Sequence, residues 1–281
     1  MKNAAITGFL IILMLPMGCT DVIDVDVPTA APRLVIEASI DWEKGTSGNE
    51  QQIGLSLSTP YFDNLDISPV TGASVKVIKD DDQSEFIFAD QGTGRYSTIE
   101  FVAEMNASYT LEVIYKGEMY VATEIMTPVT QISRVYQSTE NGFDGNALEV
   151  NIDFEDPQDS RDFYLSRFQR RGDLLPALFD VKDEFTNGNL MSIFYEKLKD
   201  EDTGEVEFAP GDIVDIQLYG LSERYYNFIK LLIQQSGGAG GPFTTIPAEI
   251  KGNCINVSNP DNYAYGYFRL SEYDKKTYLF K

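Results

Sequence analysis

The sequence contains no histidine, and it has only two cysteines and one tryptophan among 281 residues. Without histidine the chain cannot form a Ser-His-Asp triad, a Cys-His pair or a His-ligated metal centre. The cysteines are Cys19 and Cys254. If Cys19 is acylated, no disulfide can form within the chain. We expect Cys254 to be a small buried hydrophobic residue rather than a nucleophile, because no histidine can activate its thiol.

Basic residues are also few. The 22 Lys and Arg stand against 44 Asp and Glu, which gives a formal net charge of −22. Such a chain repels nucleic-acid phosphates, so we exclude nucleic acid as a partner. An anionic membrane surface would repel it as well, and attachment to a membrane would therefore need a lipid rather than a basic patch. Solubility outside the cytoplasm is the simplest explanation of the acidity, and a cation-binding face is the alternative.

Long hydrophobic runs are confined to the N-terminus. The apolar stretch Phe9–Leu15 follows Lys2 and precedes Gly18 and Cys19. It is too short to span a bilayer and is typical of a signal peptide. We predict that residues 1–18 are a lipoprotein signal peptide and that Cys19 carries acyl chains. An ordinary secretory signal and a retained anchor are the alternatives, because Pro16 stands where a lipobox usually has Leu or Val.

Beyond residues 19–32, which we predict to be an acylated tether, the chain alternates between short strand patterns and Gly-rich turns. This spacing, with many Tyr and Phe, predicts a mostly β fold of two β-sandwich-like domains, at residues 33–128 and 129–281. One helix is expected at residues 222–236, with Ser222 as its N-cap and an apolar stripe packed on the second sandwich.

Three further details of the second domain can be predicted. Met191–Leu198 and Gly204–Phe208 have the pattern of a long hairpin. Tyr263–Leu270 is a strand rich in aromatic residues, and Thr277–Phe280 is a separate closing strand. Tyr265 and Tyr267 on the aromatic strand, with the Gly-rich loop after the helix, are our candidate ligand or partner site. The loop residues in that candidate site are Gly238, Gly241, Pro242 and Phe243. Core packing is the alternative role for the tyrosines.

Catalytic signatures are missing. No GxSxG, P-loop or dinucleotide fingerprint is present, and paired carboxylates cannot be chosen from 44 acids without geometry. Asp153, Glu155 and Asp156 are weak calcium candidates, and a solvated strand end is the simpler interpretation. We therefore predict no catalytic residue, no cofactor and no enzymatic activity, with a carboxylate hydrolase as the least favoured alternative.

Several short motifs occur in a characteristic order: Cys19–Asp26 with Pro32–Glu37, Pro69–Val75, Ile152–Pro157, Gly241–Phe243, Gly252-Asn253 and Tyr265–Phe268. In this order they resemble the outer-membrane lipoproteins of the domain-of-unknown-function 4249 family from Bacteroidota. The resemblance implies an envelope lipoprotein commonly encoded beside a TonB-dependent outer-membrane receptor. It also implies that the first domain is similar to the transthyretin-like, carboxypeptidase-regulatory-like sandwich.

These observations predict a non-enzymatic accessory subunit of a TonB-dependent nutrient transporter. It would be lipid-anchored at the outer membrane, on the cell surface rather than the periplasmic face, and docked on a β-barrel receptor. A structural or adhesive, pilin-like lipoprotein is the alternative, with Asp21–Val27 as an exchangeable strand. A glycan-binding protein is a further alternative, since tyrosines can stack on sugar rings.

Overall fold

The structure is a computed structural model. It describes residues 31–59, 68–158, 160–183, 188–199, 206–237 and 249–281. Cys19, residues 19–30 of the tether, the Asp21–Val27 segment and the loop residues Gly238–Phe243 lie outside the described residues. Residues Pro32–Lys281 form one compact unit.

The described residues contain sixteen strands and one helix, which confirms the mostly β prediction. The helix does not have the length and apolar character needed to cross a membrane. Strands account for nearly all of the regular structure, as the many Tyr and Phe residues suggested.

Eight of the strands pair in a closed circuit and form a barrel. In circuit order they are β16 (Tyr265–Leu279), β1 (Leu34–Glu43), β2 (Gln51–Leu57), β6 (Arg95–Thr98), β5 (Glu85–Asp90), β4 (Ser74–Lys79), β7 (Ser108–Tyr115) and β8 (Glu118–Thr127). The circuit closes where Leu270 and Ser271 of β16 pair with Met126 and Thr127 of β8. Two short strands extend it: β3 (Ser68–Pro69) pairs with β2, and β15 (Ile255–Asn256) pairs with β8.

Alternation of apolar side chains fills the barrel. In β1, for example, Leu34, Ile36, Ala38 and Ile40 are buried, while the residues between them face outward. The sandwich predicted for residues 33–128 is thus replaced by a closed barrel. Alternation specifies which face of a strand is buried, but it does not say which strand closes the sheet. Here the closing strand comes from the other end of the chain.

The rest of the chain forms two sheets. One contains β12 (Ala177–Lys182), β11 (Phe163–Arg170), β14 (Ile213–Leu221) and the C-terminal part of β16, and the other contains β13 (Leu190–Glu196), β10 (Glu149–Glu155) and β9 (Ile132–Ser138). Both sheets contribute to one core, including Phe154 from β10 and Phe168 from β11. The two sheets therefore pack face to face.

Two strand predictions in this region were wrong. The hairpin predicted from Met191–Leu198 and Gly204–Phe208 is not present in the described residues. Strand β13 pairs with β10 instead, and residues 206–208 are not in a strand. The strands predicted at Tyr263–Leu270 and Thr277–Phe280 are one strand, β16. The polar residues 271–276 hid its continuity, because buried Glu272 and Asp274 are stabilised by hydrogen bonds rather than by apolar contacts. Strand β12 was not predicted.

Strand β16 belongs both to the barrel and to the two-sheet half of the chain. Residues 265–273 run parallel to β1, and residues 273–279 run antiparallel to β14. Its carboxylates also fix the segment between β8 and β9. The amide of Val129 donates to Glu272 and the amide of Ile132 donates to Asp274, each at 2.9 Å.

The helix α1 (Glu223–Gly237) begins as predicted. Ser222 Oγ accepts a hydrogen bond from the amide of Tyr225 at 3.2 Å, which is an N-cap contact. Tyr226 and Ile229 then pack with Phe163 of β11, on the outer face of the β11–β14 sheet. The helix is confirmed, and Tyr225, Phe228, Ile229 and Ile233 of the predicted apolar stripe pack there, but Leu232 of that stripe is exposed.

Arg269 joins the barrel to α1 through an ion pair within the barrel and a cation–π contact with the helix. Arg269 of β16 contacts Asp41 Oδ1 of β1 at 2.6 Å, and its guanidinium lies 5.1 Å from the ring centroid of Tyr219 and 5.2 Å from that of Tyr225. The side chain of Arg269 is buried. Because a buried cation is costly without a partner, this contact constrains how β1, β14 and α1 meet.

Two glycines allow close backbone approach at the start of β16. Gly252 has φ +86° and Gly266 has φ +91°. A Cβ at Gly252 would overlap the carbonyl oxygen of Gly266, and a Cβ at Gly266 would overlap the carbonyl oxygen of Ile36. Glycine is therefore required at both positions for steric reasons, because the backbone at Gly252 packs on that at Gly266, which in turn packs on β1.

We expect Gly252→Ala to lower the free energy of unfolding by about 3 kcal/mol or more, because the new methyl group meets backbone. Gly117→Ala is the matched control: Gly117 has φ +81° but open space around it. It should cost only the conformational term of about 1–2 kcal/mol. Urea unfolding measures both, and equal losses would show that the close approach is not a constraint.

Candidate functional site

The described chain enters the barrel at the end where β1 and β16 begin. These strands are parallel, with Val35 opposite Tyr265, so Leu34 and Tyr265 lie at the same end. We call this the N-terminal end of the barrel. The two-sheet half continues from the opposite end, where β16 leaves β1 and pairs with β14.

Two cations lie against the ring of Tyr263 at the N-terminal end. The guanidinium of Arg33 lies 3.7 Å from its ring centroid, and Lys251 Nζ lies 3.8 Å from the same centroid. Both cations therefore occupy space against the ring that a stacked ligand would need. Arg33 Nη1 also donates to the carbonyl of Asp261 at 2.9 Å. Tyr263 is thus not available to stack on a sugar ring, and each exposed cation–π contact adds about 0.5–1 kcal/mol.

Tyr265 shares a carboxylate with Tyr263. Both hydroxyls donate to Glu249 Oε1, Tyr265 at 2.8 Å, and Lys251 Nζ lies 3.8 Å from Glu249 Oε2. The hydrogen bonds from Tyr263 and Tyr265 hold the pKa of Glu249 below its usual value. We call Arg33, Glu249, Lys251, Tyr263 and Tyr265 the tyrosine clamp. The clamp joins residues 249–251 and 263–265 to Arg33, where the chain enters the barrel.

Tyr267 is not accessible to a ligand. It faces the outside of the barrel, as alternation predicts, but α1 covers it. Its ring lies 5.0 Å from that of Tyr225 and 4.7 Å from that of Phe228, and its hydroxyl donates to Glu124 at 2.9 Å. The prediction of Tyr267 as a ligand residue is therefore wrong, and its role is packing of α1 on the barrel.

The loop 256–262 leads to Tyr263 and is organised by Glu118. The carboxylate of Glu118 accepts hydrogen bonds from the side-chain amides of Asn259 at 3.0 Å, Asn262 at 2.6 Å and Asn256 at 2.9 Å, and from the hydroxyl of Tyr120 at 2.9 Å. These donors, Asn259 first, lower the pKa of Glu118 to about 2. The Asn-rich sequence of the loop was the available signal for this network, which was not predicted.

The calcium candidates serve other contacts. Asp153 is buried, and its Oδ1 accepts from Ser192 Oγ at 2.7 Å. Asp156 accepts from the hydroxyl of Tyr164 at 2.8 Å, and burial raises its pKa. Glu155 is exposed. In the part of the chain that the structure describes, no group of three or more acidic or cysteine side chains could hold a metal ion.

Cys254 is buried, as predicted. Burial raises the pKa of its thiol to about 12. A thiol with this pKa stays protonated at neutral pH and is a poor nucleophile. Its place in the barrel core, beside Ala264 and Phe268, is that of a small hydrophobic residue.

Comparison with known proteins identifies one matching family. Residues 20–277 match the family described as Domain of unknown function (DUF4249). No curated protein matches the chain. The chain is similar to a segment of two fibronectin type-III domains from chicken tenascin, with 10% identity and a TM-score of 0.22 over 67% of this chain and 90% of that chain. It is also similar to a DUF4785 family protein from Legionella pneumophila, with 10% identity and a TM-score of 0.26 over 66% of this chain and 52% of that chain.

The network around Glu118 predicts a specific dependence of stability on pH. Its pKa of about 2 lies below the ordinary value of 4.5, so its stabilising effect is complete above pH 4.5 and is lost as the pH falls towards 2. The difference in Tm between the wild type and Glu118→Gln should therefore be largest at neutral pH and should narrow between pH 4.5 and 2. Glu50→Gln, at an exposed position, is the control and should leave Tm unchanged. A difference in Tm between the wild type and Glu118→Gln that stays constant with pH would contradict the role of the ionised Glu118 carboxylate in this network.

Proposed function

This chain belongs to the family of Domain of unknown function DUF4249, and we propose that it is a lipid-anchored, non-enzymatic subunit of a β-barrel nutrient transporter. In this proposal Cys19 carries the lipid and the chain lies at the outer membrane, on the cell surface. The family resemblance implies a transthyretin-like first domain, whereas residues 33–128 form a closed barrel only together with β16.

The tyrosine clamp is the observation that carries the proposal. Residues 20–32 separate Cys19 from Arg33, and thirteen residues can reach at most about 45 Å. A lipid at Cys19 would therefore keep the N-terminal end of the barrel near the membrane. Because the clamp fixes Arg33 to the loop segments at that end, a pull on the tether would be distributed over the barrel rather than peeling β1 away.

An exposed apolar patch supports a protein partner near the same end. Ile255 and Val257 are 64% and 56% exposed, and Ile114 is 39% exposed. Ile255 pairs opposite Val121 of β8, and the amide of Val257 donates to the carbonyl of Met119, at the β7–β8 turn. Neighbouring exposed apolar side chains can form an interaction surface. A membrane β-barrel partner would lie beside this patch if the N-terminal end faces the membrane.

Purification of the tagged full chain from detergent-solubilised envelopes, with mass spectrometry of partners and of the N-terminal peptide, tests both parts. The wild type should carry an acylated Cys19 and a stoichiometric TonB-dependent barrel. Cys19→Ser should leave the membrane fraction, whereas the control Cys254→Ser should stay. Ile255→Asp should keep the lipid and lose the barrel, while Ile99→Asp, 69% exposed beyond β6 at the opposite end of the barrel, should keep both.

The outcomes separate the alternatives. An acylated protein without any barrel partner would contradict the transporter role, and polymers in the envelope fraction would then favour the adhesive alternative. An unmodified Cys19 in membrane-bound protein would contradict the lipid anchor itself.

A further inference from the structure

We propose that a cleft on the outer face of the barrel binds a small zwitterion, an amino acid or short peptide with free amino and carboxyl ends. This extends the proposed function by giving the captured nutrient a chemical class. The binding itself does not depend on the lipid anchor or on a partner.

The cleft lies across three adjacent strands and has a volume of about 450 Å³. Its centre is a row of three residues: Glu37 of β1 pairs with Gly54 of β2, and Gly54 pairs with Arg95 of β6. Their neighbours Ile36, Ile53 and Tyr96 point into the barrel core. Glu37, Gly54 and Arg95 therefore share the outer face.

Gly54 forms the floor between two opposite charges. Paired Cα atoms of neighbouring strands lie about 5 Å apart, so Glu37 and Arg95 begin about 10 Å from each other with no side chain between them. A Cβ at Gly54 would lie 3.3 Å from Glu37 Oε2, which shows that the carboxylate leans over the glycine. The floor is thus backbone with the Glu37 carboxylate lying over it, and a ligand on this floor would meet that carboxylate directly.

The carboxylate of Glu37 and the guanidinium of Arg95, on the two sides of the cleft, can each form further hydrogen bonds or ion pairs. Within the described ranges, the carboxylate of Glu37 has no hydrogen-bond or ion-pair partner. Arg95 donates from Nη1 to Gln52 Oε1 at 2.6 Å, which leaves Nε and Nη2 to bind a ligand. The hydroxyls of Ser39, Ser56 and Thr93 also line the cleft. A free carboxylate and a guanidinium that do not pair with each other face the same space.

Charge complementarity selects the ligand class. An ammonium group would pair with Glu37, and a carboxylate would accept two parallel hydrogen bonds from Arg95. A simple anion would meet the field of a chain with net charge −22, and a simple cation would meet Arg95. A neutral sugar would desolvate both charges without giving either an opposite charge. A zwitterion satisfies both at once.

Because both charges are partly solvated, each ion pair is worth little by itself. We therefore expect a dissociation constant in the micromolar to millimolar range, and weaker binding at high salt. Affinity of this order suits a protein that captures and releases a nutrient.

The test is isothermal titration of the full chain in detergent with the dipeptide Ala-Ala and its two capped forms. N-acetyl-Ala-Ala lacks the ammonium group, and Ala-Ala-amide lacks the carboxylate. Ala-Ala should bind about tenfold more tightly than either capped form. Cellobiose serves as the neutral polyhydroxylated comparison and should bind more weakly than Ala-Ala.

The variants assign each charge to its end of the ligand. Glu37→Gln should no longer distinguish Ala-Ala from N-acetyl-Ala-Ala, and Arg95→Gln should no longer distinguish Ala-Ala from Ala-Ala-amide. Gly54→Val should abolish binding by filling the floor. Glu112→Gln is the matched control, an outward carboxylate on β7 that pairs with Lys76 at 3.0 Å, and it should bind like the wild type. Thermal unfolding of each variant checks that it is folded.

Three results would overturn the proposal: no saturable binding of Ala-Ala, equal affinity for the capped forms, or tighter binding of cellobiose that Glu37→Gln leaves unchanged. Each concerns the cleft alone. Loss of the lipid or of the barrel partner would leave the titration unaffected, so failure here is distinct from failure of the transporter role.

Discussion

The structure depends on one strand that two sheets share. β16 closes the barrel by pairing with β1 and β8, and its last residues pair with β14 in the other half of the chain. Tyr273 takes part in both registers, opposite Glu43 and opposite Tyr219. A shared strand leaves no flexible linker at this junction, so opening one half removes hydrogen bonds from the other. This constraint accounts for a single compact unit, Pro32–Lys281, in place of two separate domains.

The features with functional interest are arranged along the same strand. Just before β16 begins, Tyr263 is clamped by Arg33 and Lys251 where the chain enters the barrel. Further along β16, Tyr267 packs against α1, and Arg269 forms an ion pair with Asp41. The outer row Glu37, Gly54 and Arg95 continues from Tyr267 across the next three strands. The chain thus has a fixed point for a tether at one end and a polar cleft on its side.

Local patterns in the sequence predict features that depend on neighbouring residues, such as helix caps and the burial of single side chains. The cap at Ser222 and the apolar stripe predict α1, and the absence of a histidine that could activate Cys254 favours its burial as a small hydrophobic residue. Partners distant in sequence were not predictable, because alternation gives the face of a strand but not its neighbour. Closure by β16, the covering of Tyr267 by α1 and the meeting of Glu37 with Arg95 are all of this kind. The network of Glu118 lies between these cases: its Asn-rich loop is visible in the sequence, but its acceptor is 138 residues away from Asn256.

Native-state hydrogen exchange of the full chain tests most directly whether β16 couples the two halves. If β16 couples the halves, amides in the barrel strands β1 and β8 and in β14 of the other half should exchange with the same free energy of opening, that of global unfolding. This free energy should fall equally for all three strands when β16 is weakened by Gly266→Ala, whose Cβ would overlap the carbonyl oxygen of Ile36. Exchange of β14 through a lower-energy opening that leaves β1 and β8 protected would contradict it, and would show that the halves are independent domains.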